Sequence, residues 1–248
     1  MRVLHDAPGG LRWITVTEEG STRYLQLDGC EEGAMDLLSE SPVFHYLWFY
    51  KCCALAASPI RRALVLGAGA FTAAKCLALD HPHAHVDAVD EEPELEAIAR
   101  RFFRLDRPTF GRVHFHGTDA ETFLERRPGP YDFIFDDLFD GFQHVPAAAR
   151  SAAHIAQLRA VLAEGGVCLK NLIWSPLAAD TRAACDEVSA AWAAAFAGHG
   201  AIALGDPAQG HNRLLLGGDH AFDGPACRAR LARAGLPEEI LGACRWLG

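Results

Sequence analysis

Residues 62–71, with the sequence RALVLGAGAF, decide the fold. A short apolar run ends in a Gly-x-Gly turn at Gly67 and Gly69, and a helical pattern follows from about residue 71 to 79. Glycines at such a turn let the backbone approach a ligand closely, and the next helix presents unpaired N–H groups at its N-terminus. The stretch therefore predicts a strand, a turn and a helix that bind a nucleotide. A turn without a ligand has the same local pattern, and Thr72 stands where a dinucleotide fingerprint has its third glycine.

The chain on the C-terminal side of this stretch repeats the same unit. Short apolar runs alternate with helical patterns, which predicts right-handed βαβ units and a mostly parallel sheet with helices on both faces. Two final runs joined by a short loop predict an antiparallel hairpin that closes the sheet at seven strands. The predicted strands are 63–66, 86–89, 113–115, 133–135, 167–169, 201–204 and 213–216, and the predicted helices are 71–79, 93–103, one after 119, 147–162 and 182–196.

The segments outside this α/β pattern predict smaller elements. Two β-rich runs at 11–17 and 22–28 flank a glycine-containing loop, which predicts a small N-terminal β-hairpin. An aromatic stretch at 42–57 has helical length and starts with Ser41 and Pro42, typical of an N-cap and a first helical position. We therefore expect three parts: an N-terminal appendage at 1–40, a Rossmann-like domain at 41–220 and a helical tail at 221–248.

Composition excludes several classes of protein. Half of the 248 residues are hydrophobic and 22% are charged, which is typical of a water-soluble globular protein. The net charge of −9 argues against a non-specific nucleic-acid binder, whose affinity comes from neutralising phosphates. The sequence contains neither a signal-peptide pattern nor an apolar run long enough to span a membrane, so we expect a cytoplasmic protein.

Twelve histidines raise the question of a metal site. His81, His83 and His85 alternate, as do His114 and His116, and alternation in a strand places side chains on one face. Neither group of histidines is part of an HExxH pattern or has a carboxylate at the spacing of metal ligands. We therefore expect solvated strand edges and no bound metal.

Acidic residues follow the second and third predicted strands. Asp90 lies about twenty residues after the glycine turn, where a carboxylate can accept hydrogen bonds from both ribose hydroxyls of an adenosine. Asp119 stands at the next strand–helix junction, where it can receive an adenine amino group. Helix capping is the alternative role for both residues, and Glu91 and Glu92 could cap the helix after Asp90 equally well.

The fourth predicted strand runs into a cluster of acids, YDFIFDDLFD at 131–140. Ligands of open α/β sheets bind outside the carboxyl ends of the strands, so Asp137 and Asp140 are expected on the same rim as Asp90 and Asp119. Carboxylates gathered on one rim repel one another unless a cation lies among them. The pattern therefore favours a cationic ligand.

These motifs, in this order and spacing, resemble the spermidine synthase (polyamine aminopropyltransferase) family, a branch of the class I S-adenosylmethionine-dependent methyltransferase superfamily. The resemblance extends over about residues 11–217 and includes LQLDG at 25–29 and Tyr46. It implies a Rossmann-like class I methyltransferase fold, an S-adenosylmethionine or decarboxylated S-adenosylmethionine co-substrate, an amine acceptor and a homodimer. It also implies catalytic roles for Asp137 as the base, Asp140 as a holder of the amine, and Tyr46. The implied donor-binding residues are Gly67, Gly69, Asp90, Glu91, Asp119, Ala120 and Asp137.

The chain also departs from the family pattern. Ala70 stands where the family has an aspartate that contacts the donor's aminopropyl amine, and Phe71 stands where a glycine is expected. Without that carboxylate, the repulsion against the carboxylate of intact S-adenosylmethionine is lost. Glu32 replaces a glutamine, and acids that would hold a polyamine are absent near Tyr46.

Three functions remain open at this point. The first is transfer of a methyl or other alkyl group to a small amine, and the second is aminopropyl transfer to a diamine. The third is non-catalytic binding of an adenosyl nucleoside, which Phe71 and Trp48 would favour if they obstructed the pocket. A nicotinamide dehydrogenase is disfavoured because the dinucleotide fingerprint is incomplete.

Catalysis by Asp137 requires a pKa higher than that of an ordinary carboxyl. We expect desolvation by nearby phenylalanines, and repulsion from Asp136 and Asp140, to raise it. A loop at 138–146, which Gly141 would leave free to open, either covers the site or is a plain surface loop. The phenylalanines are Phe133, Phe135, Phe139 and Phe142.

Overall fold

The computed structural model describes residues 1–140 and 144–247. Its strands are β1 (Arg2–Pro8), β2 (Trp13–Glu19), β3 (Thr22–Leu27), β4 (Cys30–Asp36), β5 (Arg62–Leu66), β6 (His85–Asp90), β7 (Val113–Gly117), β8 (Tyr131–Asp136), β9 (Leu162–Trp174), β10 (Gly198–Asp206), β11 (Gly210–Gly218) and β12 (Cys244–Leu247). Its α-helices are α1 (Thr72–Asp80), α2 (Leu95–Phe102), α3 (Ala120–Glu125), α4 (Ala147–Arg150), α5 (Ala152–Val161), α6 (Ala179–Ala195), α7 (Gly224–Arg233) and α8 (Glu238–Ala243). Two 3-10 helices cover His45–Leu55 and Pro108–Phe110.

The larger sheet has the order β12-β10-β11-β9-β8-β5-β6-β7. Strands β9, β8, β5, β6 and β7 run parallel, and β11 pairs antiparallel with both β9 and β10. The mostly parallel sheet and its closing hairpin are therefore confirmed. Strand β12 adds an eighth member at the edge by pairing with β10.

The predicted N-terminal hairpin is β2 and β3, and it is confirmed. Strands β1 and β4 flank it, so the hairpin is the centre of a four-stranded antiparallel sheet. Strand β4 contains Gly33 and two glutamates, residues with low strand propensity, and it forms because β3 supplies a partner. Apolar residues of this sheet, such as Val16 and Leu25, belong to the same buried cluster as helix α1.

Two predicted helices differ from the structure. The aromatic stretch forms a 3-10 helix that begins only at His45, because Pro42 pairs with Met35 beside the N-terminal sheet. The helix predicted at 147–162 is interrupted at Ser151, whose hydroxyl accepts the backbone N–H of His154 at 3.0 Å and caps α5. The predicted helical tail comprises α7 and α8 but ends in β12, and the part boundaries at residues 40 and 220 stay a prediction.

Helices cover both faces of the large sheet. One face packs against α1, α2 and the long 3-10 helix, and the other packs against α3, α5 and α6. No described helix is both long enough and apolar enough to cross a bilayer.

Candidate functional site

A cavity of about 520 Å³ opens at the carboxyl ends of the parallel strands. The strand order β8-β5-β6-β7 arranges the residues that follow each strand in one line. Asp137 therefore lies at one side, the Gly67–Gly69 turn and Asp90 in the middle, and Asp119 at the other side. This is the crevice in which open α/β sheets bind their ligands.

Every residue that the sequence predicted for the site lines this cavity. Their functional roles are not tested by this placement and stay predictions. The residues are Tyr46, Gly67, Gly69, Asp90, Glu91, Asp119, Ala120, Asp137 and Asp140.

The glycine turn approaches its neighbours too closely for any side chain. Gly67 has φ +85°, and a Cβ atom there would lie 2.3 Å from the carbonyl oxygen of Asp137. Gly69 has φ +47°, and its Cβ would lie 2.6 Å from the carbonyl oxygen of Glu32. Only glycine fits both positions without strain, and the bare backbone forms the floor of the cavity.

Asp90 stabilises the glycine turn from the end of β6. Its Oδ2 atom accepts the N–H of Ala68 at 2.9 Å, and its Oδ1 atom accepts the N–H of Glu92 at 3.2 Å. Burial raises the pKa of the carboxyl, although these N–H donors oppose the rise. Helix α2 starts later, and the side chain of its N-cap residue Glu94 makes no capping hydrogen bond. Capping of α2 by Asp90 is therefore wrong.

Asp119 does cap a helix. Its Oδ1 atom accepts the N–H of Thr122 at 2.8 Å at the start of α3, and this hydrogen bond lowers the pKa of the carboxyl. The exposed side chain also lines the cavity. Capping and ligand contact are therefore compatible at this position.

Asp137 is held by two polar side chains. The Nδ2 group of Asn171 donates to its Oδ1 atom at 2.8 Å, and the hydroxyl of Tyr46 interacts with the same carboxylate. Burial raises the pKa of Asp137 to about 6, while both partners favour the charged form. Asn212 donates to Asn171 Oδ1 at 3.1 Å and so fixes the orientation of the amide.

The phenylalanines expected around Asp137 lie in different places. Phe133 and Phe135 are fully buried in β8, and Phe139 lines the cavity. Phe142 and the expected hinge Gly141 lie outside the described residues. The side chain of Asp140 is half exposed, and its Oδ1 atom accepts the N–H of His144 at 3.2 Å.

Arg12 and Glu32 also line the cavity. The sequence did not indicate Arg12, and it marked Glu32 only as a departure from the family pattern. Arg12 Nη2 lies 2.6 Å from Glu91 Oε1. Burial raises the pKa of Glu32 to about 7, since Asp90, Asp137 and Asp140 reinforce the shift and Arg12 only partly opposes it.

A buried glutamate places Arg12 in the cavity wall. The carboxylate of Glu92 accepts the backbone N–H groups of Gly10, Leu11 and Arg12 at 2.7, 2.7 and 2.8 Å. Glu92 therefore anchors the loop between β1 and β2, and its Oε1 atom also accepts the N–H of Glu94, the N-cap residue of α2, at 3.1 Å.

The cavity is strongly acidic. Among the described residues Arg12 is the only lysine or arginine in its wall. Seven carboxylates share that wall, namely Glu32, Asp90, Glu91, Asp119, Glu121, Asp137 and Asp140. This imbalance favours a cationic ligand, since a cation relieves the repulsion among the acids.

Phe71 and Trp48 do not line the cavity. Phe71 adopts φ +58° and is fully buried, with its ring 5.5 Å from that of Phe115. Trp48 Nε1 donates to the carbonyl oxygen of Pro42 at 3.0 Å. The obstruction that would favour a non-catalytic protein is therefore not found at either residue.

The alternating histidines make local contacts. The rings of His85 and His114 stack at 5.9 Å, and His116 Nε2 lies 2.8 Å from Asp87 Oδ1. Within residues 1–140 and 144–247, no three His, Cys, Asp or Glu side chains are grouped so that they could hold a metal ion.

Comparison with known proteins gives one relative in sequence. No family model matches the chain. A polyamine aminopropyltransferase of Vibrio vulnificus (strain CMCP6) is 29% identical over 113 residues. The match covers 44% of this chain and 37% of that protein, so it spans little more than a third of the relative's length.

Solved structures match over more of the chain. A probable spermidine synthase from Corynebacterium glutamicum superposes with a TM-score of 0.82 at 20% identity, covering 99% of this chain and 91% of that one. Human methyltransferase-like protein 13, solved in complex with SAH, gives a TM-score of 0.61 at 20% identity, covering 77% of this chain and 90% of that one. The chain therefore resembles the spermidine synthase-like branch of the class I methyltransferase superfamily. The resemblance is in fold over nearly its whole length and in sequence over 113 residues.

Proposed function

We propose that this protein is a transferase that passes an alkyl group from an adenosyl sulfonium donor to an amine. The observation that carries the proposal is the acidic cavity in which the glycine turn, Asp90, Asp119 and Asp137 lie in line. The name of the Vibrio relative supports the aminopropyl group of decarboxylated S-adenosylmethionine as the group transferred. The SAH bound to the human methyltransferase-like protein supports an adenosyl ligand for this fold.

The middle of the cavity suits the nucleoside of the donor. The turn at Gly67 and Gly69 leaves room for the ribose and the sulfonium against bare backbone. Asp90 uses part of its carboxylate on the turn and retains lone pairs that can accept ribose hydroxyls, with Glu91 beside it. Asp119 and Ala120 then border the space for the adenine.

Asp137 is the proposed base for the acceptor. The amine must lose a proton before its lone pair attacks the carbon next to the sulfonium; that carbon–sulfur bond then breaks and leaves a neutral thioether. Asp137 takes the proton, and its raised pKa makes it a better base than an ordinary carboxylate. Tyr46 and Asn171 hold the carboxylate in place, which contributes to catalysis through orientation.

Glu32 compensates for the missing acid at Ala70. Its carboxyl lies close enough to Asp137 and Asp140 for their charges to raise its pKa. This is the side of the cavity proposed for the amine of the donor tail and the amine of the acceptor. An ammonium group on the donor tail would hold Glu32 in its charged form. The acid that binds the aminopropyl amine is then supplied from strand β4 instead of the glycine turn.

Methyl transfer from intact S-adenosylmethionine is the second candidate function. Two observations favour it: Ala70 lines the cavity without a carboxylate, and Arg12 offers a cation to the donor's carboxylate. Arg12 would have to release Glu91 to do so. A homodimer and a cytoplasmic location stay predictions.

Product analysis with each donor distinguishes these functions. The protein is incubated with a linear aliphatic diamine and either decarboxylated or intact S-adenosylmethionine, and the nucleoside product is separated by chromatography. Methylthioadenosine together with an aminopropylated amine supports the favoured reaction, whereas S-adenosylhomocysteine supports methyl transfer. If calorimetry detects no binding of either donor or of methylthioadenosine, the proposed function is wrong.

Asp90→Ala is expected to weaken donor binding by about 1–3 kcal/mol, because hydrogen bonds between a carboxylate and the ribose are lost. Calorimetry with methylthioadenosine measures the change. Asp106→Ala, at an exposed acid that does not line the cavity, is the control and should bind as the parent does. Equal affinity of the Asp90 and Asp106 variants would show that Asp90 only stabilises the turn.

The acceptor reaction is expected to gain rate as the pH rises through about 6, since Asp137 acts as a base only when ionised. A carboxyl with an ordinary pKa would place this limb near 4. The profile of kcat/KM for the acceptor reports the enzyme before the acceptor binds, which is the state in which Asp137 has to be ionised. Glu32→Gln serves as the comparison, because Glu32 also titrates near this range. If the rise in rate with pH disappears in Glu32→Gln, the titrating group is Glu32 and not Asp137.

A further inference from the structure

A buried ion network lies beneath the cavity and has no part in the steps above. Asp136, the last residue of β8, accepts Lys170 Nζ at 2.7 Å and His154 Nε2 at 2.9 Å, both at its Oδ2 atom. Asp136 and Lys170 are completely inaccessible to solvent, and His154 is 4% exposed. A buried charged network of this kind is costly to form, so it is expected to serve a purpose beyond stability.

The network defines the hydrogen-bonding character of the His154 ring. Burial opposes ionisation of Asp136, but the charge of Lys170 and the hydrogen bonds from Lys170 and His154 outweigh it and lower the pKa of the carboxyl. Because the carboxylate is ionised, the shared hydrogen lies on His154 Nε2. In the neutral imidazole the Nδ1 atom then keeps its lone pair and acts as an acceptor. Nδ1 has no hydrogen-bond partner among the described residues.

His154 approaches the cavity from the opposite face of the sheet to the proposed base. Asp136 and Asp137 are consecutive, and so are Lys170 and Asn171 on β9, so each pair points to opposite faces. Asp137 meets Tyr46 on one face, and Asp136 meets His154 of α5 on the other. The imidazole is therefore separated from the residues proposed to handle the amine.

The part of the cavity wall around His154 borders the space proposed for the base of the donor. Helix α5 packs against α3, which follows Asp119. Ser151, His154 and Gln157 line the cavity from α5, and Ala120 and Glu121 line it from α3. The Ser151 cap holds the backbone of His154, and Asp136 holds its ring.

We propose that His154 is a specificity-determining residue for the base of the nucleoside donor, with its Nδ1 atom accepting a hydrogen bond from the exocyclic amino group. Asp136 and Lys170 are the positioning residues that fix its tautomer and orientation. The inference rests on the proposed function, because it assigns a contact to the same nucleoside. A base with a carbonyl in place of the amino group would place its oxygen, a hydrogen-bond acceptor, against the acceptor Nδ1 of His154. Such a nucleoside would bind less well.

Calorimetry with methylthioadenosine and with methylthioinosine, its analogue carrying a carbonyl group on the base, tests the assignment. We expect the parent protein to prefer the amino form by about tenfold, the equivalent of one hydrogen bond, and His154→Phe to lose part of this preference, since Asp119 can accept from the same amino group. His154→Gln, whose amide oxygen can accept the same hydrogen bond, should recover part of it. His85→Phe replaces an exposed histidine on β6 and is the matched control.

The ratio of the two affinities is the decisive readout, since a merely structural role would weaken both nucleosides equally. Thermal unfolding of each variant shows whether it is folded. If His154→Phe does not fold, His154→Gln still tests the assignment. If the parent prefers the amino form and both His154 variants keep that preference unchanged, the inference fails while the proposed function stands. If the parent binds neither nucleoside, both fail.

Discussion

Asp137→Asn is expected to lower kcat by about 10²–10⁴-fold, the range that a positioned general base contributes. The amide has nearly the same shape but cannot take a proton from the acceptor amine. Asn171 and Tyr46 already surround the carboxylate, so the substitution leaves the packing of the cavity wall in place. Steady-state assays with the reactive donor and a diamine measure the effect.

Affinity for the donor separates a chemical role from a binding role. Methylthioadenosine should bind Asp137→Asn nearly as tightly as the parent, because the nucleoside lies against the glycine turn and Asp90. Asp106→Asn is the isosteric control at an exposed aspartate and should keep full activity. Normal turnover by the Asp137 variant would mean that this carboxylate is structural.

Lys170→Met should lower the free energy of unfolding by about 3–5 kcal/mol, because it leaves the buried charge of Asp136 without its main counter-ion. The Oδ1 atom of Asp136 has no hydrogen-bond partner among the described residues, so no donor at that atom compensates for the loss of Lys170. Urea unfolding, followed by circular dichroism, measures the difference.

A second substitution distinguishes loss of the ion pair from loss of packing. The double variant Asp136→Leu/Lys170→Met removes both charges and should recover much of the lost stability, since apolar replacement of a buried pair is often neutral. Arg100→Met breaks the exposed pair with Glu96 on α2 and should cost no more than about 0.5 kcal/mol. A double variant as unstable as Lys170→Met would indicate that side-chain volume, and not charge, matters at these positions.

The line of cavity residues was predictable because each of them follows a strand in a repeating pattern. Gly67, Asp90, Asp119 and Asp137 stand at successive strand–helix junctions, and a parallel sheet brings such junctions to one edge. Periodicity also predicted the hairpin of β2 and β3. It failed for β4, whose glutamates and glycine form a strand only because β3 offers unpaired backbone groups.

The polar residues that support the site were missed, although the sequence contains a signal for some of them. Lys170 and Asn171 interrupt the apolar run of β9, and adjacent polar residues inside a buried strand require partners on both faces. The partners themselves, Asp136 and Asp137, follow the same rule on β8. His154 carries no such signal, because a histidine on a helix is compatible with many environments.

The sequence by itself determined the alternation of strands and helices from residue 62 to 218, the parallel sheet and the edge at which acids would gather, because these follow from local periodicity and from the chain connections between strands. Only the tertiary structure decided which charges meet. Glu92 anchors the loop that carries Arg12 from eighty residues away, and Phe71 turns into the core instead of the cavity. Such contacts depend on side-chain direction and on burial, which residues distant in sequence impose on one another only after the chain has folded.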